Sequence, residues 1–391
     1  MREFITGNQA VVRGAMRAGC DFFAGYPITP ASSILSEMIA SLGSRPGRAV
    51  QTEDEIAAIG CCIGAAMTGA RALTATSGPG LSLYSENIGL AQMGEVPLVI
   101  VDCQRMGPAT GGATSTGEGD VVFARHVTSG SYPLPVLSAA DAESAYWLTY
   151  EAFRIAERLR TPVIVLLSKD ISLTRQTCDL DAIDLPTLTP RSTGGQSGST
   201  RPYRVDSLKS VPDFVPIGGS APVRFTGSIH GEDGLLTANR GAIDRKLSHL
   251  KEKIAANADL LEYVRNDLDA DAETLVVSYG LADGAARDAV AELRDSGSRV
   301  SHLTLYSLWP MPERAIQKAL TARIRRVVVP ELNIGLYADE LRRLVKDADI
   351  ESLTRIDGGL IHPRTIAAAV CNAEAAAKLV ERDERGRSCQ S

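Results

Sequence analysis

The 391-residue sequence predicts an α/β chain built on two doubly wound, mostly parallel sheets. Three observations predict it. Short runs rich in Val, Ile and Leu recur at helix-length intervals, and Gly, Pro and other turn residues bound them. The alternation breaks at a Gly-, Ser-, Thr- and Pro-rich stretch over 187–221 and resumes near residue 272. Near-continuous apolar runs mark strands covered on both faces, the arrangement of a parallel sheet.

In chain order, 6–19 carries apolar residues at helical spacing and ends on Gly19, and 20–27 is a short apolar run broken by Pro27 and Pro30. A second helix pattern spans 29–43, and a strand spans 48–53. The helix expected over 54–69 contains Gly60 and Gly64. Each costs up to about 1 kcal/mol against Ala in a helix interior, which calls for the close approach of a backbone or ligand. Strands follow over 71–77, 97–103 and 161–170, and an amphipathic helix is expected over 246–265. The expected division is an α/β domain over 1–185, an irregular connection over 186–257, a second α/β domain over 258–381 and a frayed tail over 382–391.

Composition narrows the function. Lys and Arg number 41 against 47 Asp and Glu, so no basic excess points to nucleic acid or an anionic membrane surface. No run of 18 apolar residues suggests a membrane span, and the first residues lack a signal-peptide core. Cysteines at 20, 61, 62, 103, 178, 371 and 389 form no C-x-x-C pair, so neither a zinc finger nor an iron-sulfur site is expected on this chain. Scattered free thiols suit a reducing compartment, and a cytoplasmic location is expected. The five histidines lack ligand spacing, and no metal site is expected.

Four turns fall just past strand ends, where open parallel sheets bind ligands: 25–32, 51–60, 76–80 and 104–120. The last lacks the Lys of a phosphate loop, which disfavours a nucleoside triphosphate. Glu53, Asp54 and Glu55 stand where a strand gives way to a helix. They read equally as helix capping and as a carboxylate in an apolar setting that shares a proton with a ring nitrogen. Arg105 precedes Gly107 and Pro108 and could clamp a carboxylate or be a surface residue. Thr29, close to Pro27 and Pro30, could present a fixed hydroxyl or cap the following helix.

At these turns the sequence resembles the alpha chain of the 2-oxoacid:ferredoxin oxidoreductases, enzymes dependent on thiamine diphosphate. The resemblance rests on Tyr26-Pro27-Ile28-Thr29-Pro30, on Glu53 through Gly60, on Gly69 through Gly80, and on Gln104-Arg105 before Gly107-Pro108. It implies a pyrimidine-binding domain over 1–185 and a domain like the carboxyl-terminal domain of transketolase over 258–381. It implies that Glu55, placed five residues before Gly60 and nine before Gly64, activates the cofactor's aminopyrimidine. By the same resemblance Thr29 approaches the substrate and Arg105 pairs with its carboxylate, while Pro27, Ile28, Glu55, Ser77 and Gly78 contact the cofactor.

The chain has no G-D-G segment for magnesium and diphosphate and no cysteine set for a cluster. The resemblance therefore implies a separate beta subunit holding magnesium and an iron-sulfur cluster, in a heterotetramer of two alpha and two beta chains, with thiamine diphosphate shared between the two kinds. Its expected partners are ferredoxin, a 2-oxoacid and coenzyme A. The stretch 222–234 further resembles family members acting on 2-oxoglutarate, which makes succinyl-CoA, carbon dioxide and reduced ferredoxin the expected products. Pyruvate, a branched-chain 2-oxoacid or oxalate is the alternative substrate. Arg71, Arg125 and Arg224 are candidates to meet a second carboxylate. Two other readings are a transketolase-like transfer to a carbon acceptor or lipoamide, and a non-catalytic scaffolding subunit.

Overall fold

Residues with buried side chains on both sides of the backbone can pair only inside a sheet. Val, Ile and Leu dominate the fully buried strands at 98–104 and 162–168. The computed structural model describes residues 2–193 and 201–371. Along the first part run β1 Glu3–Thr6, α1 Gly7–Arg17, β2 Phe22–Gly25, α2 Ser32–Gly43, β3 Arg48–Gln51, α3 Glu55–Met67, β4 Ala72–Thr76 and α4 Gly78–Met93. Then come β5 Leu98–Gln104, α5 Val121–Arg125, β6 Val136–Ser138, α6 Ala142–Leu159, β7 Pro162–Ser168, α7 Lys169–Leu173 and β8 Arg175–Cys178. The remainder comprises α8 Arg240–Ala255, β9 Val264–Asp267, β10 Thr274–Ser278, α9 Ala282–Asp295, β11 Val300–Leu305, β12 Ser307–Trp309, α10 Glu313–Ala319, β13 Arg326–Glu331, α11 Leu336–Leu344, β14 Asp349–Thr354 and α12 Pro363–Cys371.

The first sheet has the order β12-β6-β7-β5-β4-β2-β3 and is parallel except for β12. The second has the order β14-β13-β10-β11-β9 and is parallel except for β9. The expected α/β class and its strands are therefore present. The segment 300–309 holds two strands in different sheets, with β12 joining the first sheet against β6. Trp309 seals that junction by donating its indole N–H to the carbonyl of Val121 at 2.8 Å.

The helix expected over 246–265 lies instead over 240–255. Asn239 caps it by accepting from the N–H of Ala242, and residues 264–267 leave helical geometry to pair with β11. It also occupies the end of the connection expected to be irregular, of which 194–200 lie outside the described residues. Outside them too lie the tail 382–391, Cys389 and the last part of the helix pattern beyond Cys371.

The rest of the connection is ordered by buried charge. Glu95, in the turn before β5, accepts from Lys246 Nζ at 2.6 Å and Lys253 Nζ at 2.7 Å and lies 3.0 Å from His249 Nε2. Burial alone would raise the Glu95 carboxyl, but Lys246, Lys253 and His249 hold it well below the usual range. Arg160 donates to the carbonyls of Glu95, Pro202, Pro212 and Asp213, so an irregular chain is gathered around one guanidinium. His230, in the stretch 222–234, is buried with Nδ1 2.7 Å from the carbonyl of Ser228 and its ring against Tyr203, and Glu232 faces Arg201 and Arg245.

Removing one member of such a cluster strands the remaining charges. Glu95→Ala should lower folding stability by about 3–5 kcal/mol, read from denaturant unfolding. Because the folded carboxyl lies below its unfolded value, wild-type stability from this group is lost as pH falls through the folded pKa, and the variant should lack that loss.

Candidate functional site

Strands β5, β4, β2 and β3 are neighbours and parallel, so the four turns that follow them gather at one carboxyl edge. The acidic trio divides its roles there. Asp54 caps α3 by accepting from the N–H of Ala57 at 2.7 Å, Glu53 is exposed, and Glu55 is only 7% exposed. Glu55 turns toward the first turn of α4, where a Cβ at Gly80 would come 2.7 Å from its Cγ and 2.9 Å from its Oε1. Glycine at 80 is what lets that carboxyl group lie there.

Arg105 is buried and donates from Nη1 to the carbonyl of Thr29 at 2.6 Å, which joins two of the candidate turns directly. Its Nε is buried without a partner. The alternative capping role of Thr29 is not seen: α2 begins at Ser32 with Ala31 at its cap and no side-chain cap bond. The turn is held instead by Asn8, whose amide donates to the carbonyl of Pro30 at 2.8 Å and to Ser33 Oγ at 2.7 Å. Pro27 and Thr29 are exposed and Ile28 is half-buried. Ser77 heads α4 with its hydroxyl fully buried and without a partner, and Gly78 follows it.

Other candidates are engaged elsewhere. Arg71 donates to the carbonyl of Ala18 at 3.0 Å, and Arg125 lies over the Trp309 ring at 4.3 Å and pairs with Glu340. Arg224 is exposed. Sequence reasoning missed Asn8 and two acids, Asp102 inside β5 and Asp120 at the head of α5. An acid within an otherwise apolar strand such as 97–103 is the signal that would have found Asp102.

The turn 104–120 is also clamped by the second sheet. Glu118 Oε1 accepts from the N–H of Leu281 at 2.9 Å, and Asn333 Nδ2 donates to the Glu118 carbonyl and to the hydroxyl of Tyr279. Tyr279 in turn donates to Glu331 at 2.8 Å. The segments 307–313 and 327–335 thus hold the two sheets together within the chain.

Residues 13–208 match the family model described as the thiamine diphosphate-binding region of pyruvate flavodoxin/ferredoxin oxidoreductases, and 272–366 match core domain II of pyruvate:ferredoxin oxidoreductase. The 2-oxoglutarate synthase subunit KorA of Methanocaldococcus jannaschii is 36% identical over 94% of this chain and 99% of its own. The chain belongs to the 2-oxoacid:ferredoxin oxidoreductase family. The KorA subunit of Archaeoglobus fulgidus, a relative in this 2-oxoacid:ferredoxin oxidoreductase family, is 39% identical over 88% of this chain and 91% of its own. A solved 2-oxoglutarate:ferredoxin oxidoreductase from Magnetococcus marinus, with 2-oxoglutarate, coenzyme A and succinyl-CoA bound, superposes with a TM-score of 0.87 at 29% identity. The match covers 96% of this chain and 65% of that longer one. A split-gene transketolase shares the fold at 11% identity and a TM-score of 0.51.

Burial pushes the Glu118 carboxyl up to about 8, only partly offset by the N–H of Leu281. A folded acid raised above its unfolded value binds protons that the unfolded chain has released, so stability falls as pH rises between about 4.5 and 8. Glu118→Gln should abolish that fall and gain on the order of a few kcal/mol at pH 8, measured by unfolding across pH.

Proposed function

We propose that this chain is the alpha subunit of a 2-oxoglutarate:ferredoxin oxidoreductase, active with a beta subunit and converting 2-oxoglutarate and coenzyme A to succinyl-CoA, carbon dioxide and reduced ferredoxin. The observation that carries the reading is the buried Glu55 carboxyl group beside glycine-lined α4, on the same edge as the Arg105–Thr29 contact. Relatives named 2-oxoglutarate synthase subunit KorA, aligned over nearly all of this chain, favour 2-oxoglutarate among the 2-oxoacids.

The donor set fits thiamine diphosphate. An unpartnered buried hydroxyl at Ser77 and an inward carboxyl at Glu55, admitted by the missing Cβ of Gly80, suit a flat heterocycle with ring nitrogens. When bound, the cofactor supplies the nucleophilic carbon and the electron sink for loss of carbon dioxide. In this reading Glu55 holds a proton at the aminopyrimidine ring nitrogen, and Pro27, Ile28, Ser77 and Gly78 shape the ring's seat. Arg105 pairs with the substrate carboxylate, and Thr29 orients the 2-oxo end by its hydroxyl. Magnesium and an iron-sulfur cluster belong to the beta subunit, in a cytoplasmic heterotetramer of two chains of each kind. The division of the chain at 1–185, 186–257 and 258–381 belongs to the same reading. A branched-chain 2-oxoacid is the second candidate, since the ketoisovalerate oxidoreductase subunit VorB of Methanothermobacter thermautotrophicus is 31% identical over 93% of this chain.

Co-purification with the adhering chain, followed by dye reduction with coenzyme A across a panel of 2-oxoacids, should give the highest kcat/KM with 2-oxoglutarate. Preference for a branched substrate would favour the second candidate. Glu55→Ala should cut turnover of the assembled enzyme about a thousandfold, and full turnover would instead indicate a scaffolding subunit.

A further inference from the structure

Asn8 is the second residue of α1 and is fully buried. Asn is a poor helix former, and a buried amide is costly unless its donors and its acceptor are met. Here they are met by two other parts of the chain. The amide nitrogen donates to the carbonyl of Pro30 at 2.8 Å and to Ser33 Oγ at 2.7 Å, and Oδ1 accepts from the Cys103 thiol at 3.5 Å. One side chain thus joins α1, the turn after β2 and the end of β5. Two features fix where it sits. Thr6 and Gln9 form a reciprocal cap that sets the start of α1. Gly7 lies so close to α7 that a Cβ there would come 2.3 Å from the carbonyl oxygen of Ile171.

These contacts close a ring through the candidate site. Cys103 and Arg105 are two apart at the end of β5, the spacing that sends side chains to one face. Arg105 Nη1 donates to the carbonyl of Thr29 at 2.6 Å, and the next carbonyl in the turn, that of Pro30, is the one Asn8 holds while it bonds Cys103. Successive carbonyls of one turn are therefore gripped by two side chains, and the two grips are tied together through β5. With Nη1 anchored, the buried and unpartnered Nε of Arg105 remains a donor for a carboxylate. Without Asn8 the Pro30 carbonyl is released, and the Thr29 carbonyl that orients the guanidinium is held from one side only.

We propose that Asn8 is a positioning residue for substrate binding: by holding the Pro30 carbonyl against β5 it keeps Thr29 where Arg105 can bond it, and so sets how tightly a 2-oxoacid carboxylate is held. The inference rests on the roles given to Arg105 and Thr29 under the proposed function. Asn8 acts through those two residues, so its loss falls on affinity more than on the chemical step.

The test is steady-state turnover of the assembled complex with 2-oxoglutarate. Asn8→Ala should raise KM about tenfold, the scale of one net hydrogen bond, and lower kcat less than about threefold. In an Arg105→Ala background the same change should alter kcat/KM less than about twofold, because the group through which Asn8 acts is already gone. An equal loss of kcat/KM in both backgrounds, or a fall in kcat with KM unchanged, would overturn the proposal. Ser33→Ala removes one acceptor of the Asn8 amide, keeps its bond to Pro30 and serves where Asn8→Ala does not fold. It should raise KM about threefold, and an unchanged KM would overturn the proposal equally. If the complex turns over no 2-oxoacid, the functional reading fails, and the hold on the turn is read separately by hydrogen–deuterium exchange of the full chain. Residues 25–34 should then exchange about tenfold faster in Asn8→Ala while 162–168 keep wild-type protection. Unchanged exchange over 25–34, or equal acceleration in both segments, would overturn the hold itself.

Discussion

Asp54 accepts from the N–H of Ala57 and so fixes where α3 begins. A helix turns about 100° per residue, so a start one residue later would swing Glu55 off the face it shares with α4. With Asp54 as cap, Glu55 is the first helical residue and turns inward, while Glu53 stays in solvent. Gly80 then admits the carboxyl group, since any larger residue would occupy the same space. One capping bond and one missing Cβ thus determine where the buried acid sits. The other site residues depend on the parallel order of β5, β4, β2 and β3, which sets their turns side by side.

The second sheet contributes closure rather than candidate side chains. Its strand β12 joins the first sheet, Trp309 bonds the head of α5, and Leu281 and Asn333 bond Glu118 in the turn that carries Arg105 and Asp120. The protonated state of a buried acid between the sheets and the placement of the candidate arginine are properties of the same turn. The shared fold and the KorA relatives fit this division, since both matched family regions lie on this one chain.

Much of the fold was legible in the sequence because a buried parallel strand leaves a local mark. The runs at 98–104 and 162–168 were placed within a few residues, and so was α3. The errors came where tertiary contacts decide. Residues 264 and 265, read as the end of a helix, pair as a strand because β11 offers an open edge. Residues 307–309 leave one sheet for another, which no local pattern encodes. Among the candidate residues, the contact between Arg105 and Thr29 was not legible, since the two are far apart in sequence and meet only through strand order. The roles of Glu53, Asp54 and Glu55 were equally open in sequence, because capping and inward burial both favour an acid at a helix start. Asp102 passed unnoticed although an acid inside a run of buried apolar residues is itself a signal.

The charge cluster around Glu95 and Arg160 bears on how the chain can move. The connection between the sheets is fastened to the first one by Lys246, His249, Lys253 and the carbonyls that surround Arg160. Among its described residues, 202–253 are therefore a girdle pinned to the first sheet. Any rocking of one sheet on the other would also have to bend the short crossings near Tyr263 and Tyr306, whose backbones are hydrogen-bonded to each other at 3.0 Å.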